Sequence, residues 1–240
     1  MIRTFWRGWH LFDPILAGAS LKDRLIGCLG AIVGIGLTAL ISALTLGPGV
    51  VPWLVAPVGA SAVLLFAVPA SPLAQPWPII GGNIVSALIG VLAANYIGSI
   101  PLAAGLAVGG SILAMSLMRC LHPPGGAAAL TAVIGGKSVA ALGFLFPLIP
   151  VGVNSLMLVL VGLTFHRFSG HSYPHRAVPT AGHSNVPATL LDLQPSDIDL
   201  ALETLGETFD INRADLELVF RQVEFHASER RAAIGKSKVI

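Results

Sequence analysis

No Asp, Glu, Lys, Arg or His occurs between Leu25 and Met118, and a second uncharged stretch runs from Ser138 to Phe165. A bilayer's hydrocarbon core, about 30 Å thick, takes roughly 20 apolar residues of helix to cross, so these stretches hold several crossings. Hydrophobic residues make up 54% of the chain and charged ones 11%, against roughly 25% charged in a soluble domain. A water-soluble core is excluded, and the expected fold is all-α and polytopic. The apolar run after residue 24 is too long for the core of a signal peptide and reads as an uncleaved first span.

Ten of the twelve acidic residues follow Leu191, and no carboxylate lies between Asp23 and Asp192. Arg3, Arg7, Lys22 and Arg24 precede the first span, and Arg167 and Arg176 flank the last. The positive-inside rule then predicts two cytoplasmic termini, hence an even number of crossings. Six crossings place Arg119 inside and Lys137 outside, whereas four crossings with two re-entrant pieces place both outside; six is the expectation. Cys28 and Cys120 have no metal-like spacing and support neither a disulfide framework nor a zinc site.

Gly, Pro and polar breaks divide the apolar region into about six pieces, near 25–46, 53–68, 79–98, 101–118, 124–136 and 140–165. The second is interrupted by Pro52 and Pro57, and the fifth lies between Pro123-Pro124 and Gly135-Gly136-Lys137. Proline suits a first helical turn, where its missing N–H has no partner in any case. Both pieces therefore read as short helices that begin at their prolines. The string Pro57 to Leu64 aligns without gaps to Pro123 to Leu130, which predicts two three-segment repeats. An odd number of segments per repeat makes the second copy inverted, as in many transporters.

Four regions follow: an N-terminal segment over 1–24, a membrane domain over 25–168, a linker over 169–194 and a soluble helical tail over 195–240. The linker is rich in His, Pro, Ser and Gly, and the pair His171 and His175, with Pro174 between them, reads as solvated rather than metal-binding. In the tail, Ser196 is the expected N-cap of a helix through about Gly206, and Asn212 of a second with Asp215 at its third position. Leu216, Val219, Phe220, Val223 and Ala227 form an apolar stripe at helical spacing. It is expected to pack beneath the membrane domain, on another subunit or on a separate partner.

A helix start carries unpaired N–H groups and the positive end of the backbone dipole, so two starts meeting at mid-membrane make an anion site. The expected substrate-binding residues are Gly59, Ala60 and Ser61 at the first start, Arg119, His122, Pro123, Pro124, Gly125 and Gly126 at the second, and Asn83 as a neutral hydrogen-bonding group. Ionisable residues near a membrane core are functional suspects; Arg119 reads equally as an interfacial anchor, and His122 as a partner for broken backbone. Without a carboxylate, a Glu/Asp proton relay and a carboxylate sodium site are disfavoured, whereas an electropositive anion path stays open.

The string His122-Pro123-Pro124-Gly125-Gly126-Ala127, with Gly59 to Phe66 and Ser71 to Pro76 upstream, resembles the HPP family of integral membrane proteins over roughly residues 10–170. The segment from about Pro195 to Arg231 resembles the linker that leads to paired CBS domains in bacterial relatives; no CBS domain follows here, so nucleotide sensing is not carried over. Plant and cyanobacterial relatives are associated with nitrite transport, which implies nitrite as the first candidate substrate.

The expectation is a multi-pass transporter or channel of a bacterial inner membrane for a small inorganic anion, nitrite first, with His122 able to couple movement to protons. The alternative is a membrane sensor or scaffold whose tail binds a cytoplasmic partner. An enzyme is not expected, for want of a nucleophile–base pair, a metal-ligand set or a phosphate-binding loop. No cofactor is expected, and no nucleic acid. Small-residue faces such as Gly105, Gly109 and Gly110 would permit a homo-oligomer or close packing within one subunit.

Overall fold

The computed structural model describes residues 21–46, 54–176, 195–205 and 211–237. Arg3, Arg7, Pro52, the linker beyond Arg176 and Gly206 lie outside the described residues. All described elements are helical: α1 (Leu21–Leu46), α2 (Pro57–Ala67), α3 (Asn83–Tyr96), α4 (Ile100–Leu117), α5 (Pro124–Ile134), α6 (Gly136–Leu142), α7 (Val153–Ser169), α8 (Pro195–Leu205) and α9 (Arg213–Ser237). A wide π-helical turn opens α3 at Pro78–Gly82, and a kinked segment at Pro147–Gly152, with Ile149 extended at φ −130° and ψ 113°, leads into α7.

The first five apolar pieces appear as helices and the two expected to be short are short, whereas the sixth, 140–165, is divided among the end of α6, a turn at Gly143–Leu145, the Pro147–Gly152 segment and α7. Among the described residues four helices are long and apolar enough to cross a membrane: Leu21–Thr45, Pro78–Tyr96, Ile100–Leu117 and Pro147–Ser169. The fifth piece forms α5, and beyond Ile134 a helix over Gly136–Leu145 is bent away from it by 98°, so the pair counts as at most one further span. With 11 residues, α2 is roughly 16 Å long at 1.5 Å per residue, about half the hydrocarbon thickness. Its prolines explain the start: Pro57 stands in the first turn of α2, as Pro124 does in α5.

Small residues set how closely the helices approach. A Cβ on Gly90 of α3 would stand 2.3 Å from the Ala129 carbonyl oxygen of α5, and one on Gly82 would stand 2.6 Å from the Cys120 carbonyl oxygen. Backbones in direct contact replace the side-chain interdigitation of a soluble core, the packing that favours association in lipid. On the other side of the bundle, Phe66 of α2 fills the notch above Gly30 and Gly34 of α1. Val58, Leu65, Ile79, Ala87, Val151 and Leu158 complete the central core. Outward-facing leucines and isoleucines such as Ile32 (71% exposed), Leu44 and Leu113 form the surface that lipid covers.

One end of the bundle gathers the start of α1, the start of α3, the end of α4 and the end of α7. His171 after α7 reaches Asp23 at 4.0 Å. The Trp77 indole N–H, ahead of α3, donates to the Met118 carbonyl after α4 at 3.2 Å. Lys22, Arg24, Arg119, Arg167 and Arg176 therefore belong to one end.

His171 to Arg176 form a strap across this end rather than a solvated loop. The Tyr173 hydroxyl donates to the Ala74 carbonyl at 3.0 Å, and the His175 backbone N–H to the Gln75 Oε1 at 2.8 Å. Burial pushes the Tyr173 phenol well above its ordinary range, so it stays a donor. In the tail, α8 begins at Pro195, which puts Ser196 inside its first turn. Asn212 caps α9 as expected, its Oδ1 accepting from the Ala214 N–H at 2.9 Å. Within this chain the apolar stripe stays largely open: Val219, Phe220 and Val223 are 50%, 39% and 58% exposed. The head of the helix is anchored to the strap, where His175 Nε2 meets the Asp215 carboxylate at 2.8 Å.

Candidate substrate site

The break before α5 delivers His122 into the bundle interior. The end of α4 is closed by backbone bonds from the Arg119 N–H to the Ser116 carbonyl and from the Cys120 N–H to the Met115 carbonyl. These are the paired bonds of a helix terminated through a left-handed residue. Arg119 is that residue, with φ 53°. This sharp stop turns the chain back, and three residues later the imidazole is fully buried.

Its ring joins both short helices. Nδ1 donates to the Leu73 carbonyl at 2.8 Å, since a carbonyl can only accept. Nε2 lies 2.8 Å from the Ser61 hydroxyl, in the second turn of α2. With one ring proton, held on Nδ1, Nε2 accepts from Ser61 O–H; with two, Nε2 donates and the Ser61 proton turns to the Pro57 carbonyl at 3.2 Å. In either case the Ser61 oxygen keeps a lone pair for the Asn83 amide N–H, at 3.2 Å. The other Asn83 N–H donates to the Ser155 hydroxyl of α7 at 3.1 Å. A continuous polar chain thus runs Leu73, His122, Ser61, Asn83, Ser155 through the core.

Asn154, the neighbour of Ser155, fixes the approach to α2. Its Oδ1 accepts from the Val55 N–H at 2.9 Å and its amide donates to Ser42 of α1 at 2.8 Å. Three buried polar atoms have no hydrogen-bond partner among the described residues: Thr38 Oγ1, Asn83 Oδ1 and Ser86 Oγ. Two of these, Asn83 and Ser86, stand three residues apart on α3 and so share a face.

Of the residues expected from the sequence, Ser61, Asn83, His122, Pro124 and Gly125 are buried together. Gly126 is half-buried beside them. Gly59, Ala60 and Pro123 are exposed, and a side chain on Gly59 would meet nothing within 4 Å. Arg119 is exposed and stays outside the cluster. The helix starts themselves are less open than expected. Gly125 N–H already donates to the His122 carbonyl at 2.8 Å and Gly126 N–H to Pro123 at 3.1 Å, while Val58 and Gly59 bond Val55 and Ala56 at 3.0 Å each.

Ser86, Ser155 and the Leu73 carbonyl did not stand out in the sequence. A signal existed for the first, because a serine three residues after an asparagine on an apolar helix doubles the polar character of one face.

The family described as "HPP, transmembrane region" matches residues 17–174, and the chain belongs to this HPP transmembrane family. Two transmembrane proteins of Dictyostelium discoideum are similar to it. One is 40% identical over 120 residues, covering 48% of this chain and 42% of its own length. The other is 35% identical over 169 residues, covering 69% of this chain and 54% of its own. The chain thus spans about half the length of the curated relatives it matches. No solved structure matches it.

Proposed function

We propose that this HPP-family protein transports a small inorganic anion, nitrite first, across a bacterial inner membrane. The observation that carries the reading is the joining of two helices, each too short to span, through the 2.8 Å contact between Ser61 and His122. They meet inside a bundle with no carboxylate between Asp23 and Asp192. Short or broken helices meeting within the bilayer are where transporters place solutes. The pairing of α1 with α2 and α7, matched by that of α4 with α5 and α3, supports the inverted-repeat plan. The gathering of basic residues at one end supports cytoplasmic termini.

Purified protein in proteoliposomes provides the test, with nitrite, nitrate, formate and chloride offered in turn. Saturable nitrite uptake that Gly125→Leu abolishes is the expected result. A folded protein that passes none of these anions under an imposed gradient would sink the transport reading.

A sensor or scaffold role has one observation in its favour, the exposed apolar face of α9. Removing residues 195–240 separates the two: a transporter keeps its flux, a scaffold loses its partner.

A further inference from the structure

We infer that the site takes its solute in the proton-bearing form, as an undissociated weak acid whose conjugate base is a small planar oxyanion, rather than as the bare anion. This deepens the transport reading and rests on it.

The direction of the polar chain decides the matter. Leu73 can only accept, so His122 Nδ1 donates to it; in the ring with a single proton, Ser61 gives its one proton to Nε2 and must accept from Asn83. The Asn83 amide is thereby oriented with its NH2 toward Ser61 and Ser155, and both N–H groups are used. What remains is Oδ1, a buried acceptor without a donor. Beside it on the same face of α3 is the Ser86 hydroxyl, also buried and unpartnered. That hydroxyl points at the first turn of α5, where a Cβ on Gly125 would stand 2.5 Å from it.

A bare anion offers only acceptors and needs donors in return. The N–H groups of Gly125 and Gly126 are engaged, Arg119 is exposed, and an anion beside Asn83 Oδ1 would face a carbonyl lone pair. An undissociated acid brings its own O–H to Asn83 Oδ1 and accepts the Ser86 proton on its second oxygen. It also enters without the cost of burying an unpaired charge. The titratable groups beside the site are His122 and the buried Cys120; α2, α4 and α7 present the neutral hydroxyls of Ser61, Ser111 and Ser155.

The experiment uses full-length protein in proteoliposomes, with total nitrite or formate held fixed, external pH varied, and the leak of protein-free vesicles subtracted. Protein-dependent flux is expected to rise about tenfold per pH unit of acidification, following the acid's share above its pKa, and to ignore an imposed potassium diffusion potential. Flux that is flat with pH and follows the potential would overturn the inference and leave anion transport standing. No protein-dependent flux with either probe removes both. Ser86→Ala deletes the unpartnered hydroxyl and strips no neighbour of a bond. It is expected to lower the flux several-fold at every pH with an unchanged unfolding midpoint, and undiminished flux would overturn the site assignment.

Discussion

Glycine matters in this protein where two backbones touch, and the same residue type is idle elsewhere. Gly125 and Gly59 sit in the first turns of two similar helices, yet a Cβ on the first would press on Ser86, Met115 and Gly82, while one on the second meets open space. Gly125→Ala is expected to destabilise the fold by about 1–3 kcal/mol through overpacking. Gly59→Ala is expected to leave stability unchanged or raise it by up to about 1 kcal/mol, the helical advantage of alanine. Thermal unfolding of both variants in detergent checks the contrast. The sequence ranked the two glycines equally, because the echo between the two strings records local chain geometry and says nothing about what lies opposite. For the same reason it singled out His122 and Ser61 without pairing them: residue 61 meets residue 122 only through the tertiary fold.

At the scale of elements, the apolar pieces and their proline starts were legible because composition and missing N–H groups act locally. The stop at Gly135 and Gly136 was legible as well, but not the 98° turn that follows it. Arg119 illustrates a conflict between element and side chain. It closes α4 at φ 53°, a conformation that costs an L-residue roughly 1–2 kcal/mol and glycine little. Arg119→Gly is therefore expected to raise the stability of the fold by about 1 kcal/mol, read as a higher unfolding midpoint. An unchanged or lower midpoint would mean that the exposed guanidinium holds the end of the bundle by contacts of its own. The tail stripe shows the opposite limit of sequence reading: periodicity found the apolar face of α9, but the contact of Asp215 with His175 joins residues forty apart and leaves no periodic trace.

The whole molecule is held at one end by that tether. His175 meets both oxygens of Asp215, at 2.9 and 2.8 Å, and its backbone is fastened to Gln75. Asp215→Asn and His175→Ala are each expected to release α9 from the bundle and to speed proteolytic cleavage between residues 205 and 213 severalfold, with the membrane helices left intact. Equal cleavage rates in variant and parent would show that α9 docks by other means.

Leu73 and Ala74 lend their carbonyls to opposite sides of the protein, the first to the His122 ring within the bundle and the second to the Tyr173 phenol of the strap. Adjacent peptide planes share a single α-carbon, so a displacement at one bond is felt at the other. Whatever draws the tail away from its end of the bundle tugs on the same short turn that sets the tautomer of the buried imidazole. The tail end of the bundle and its buried interior thereby share one mechanical joint.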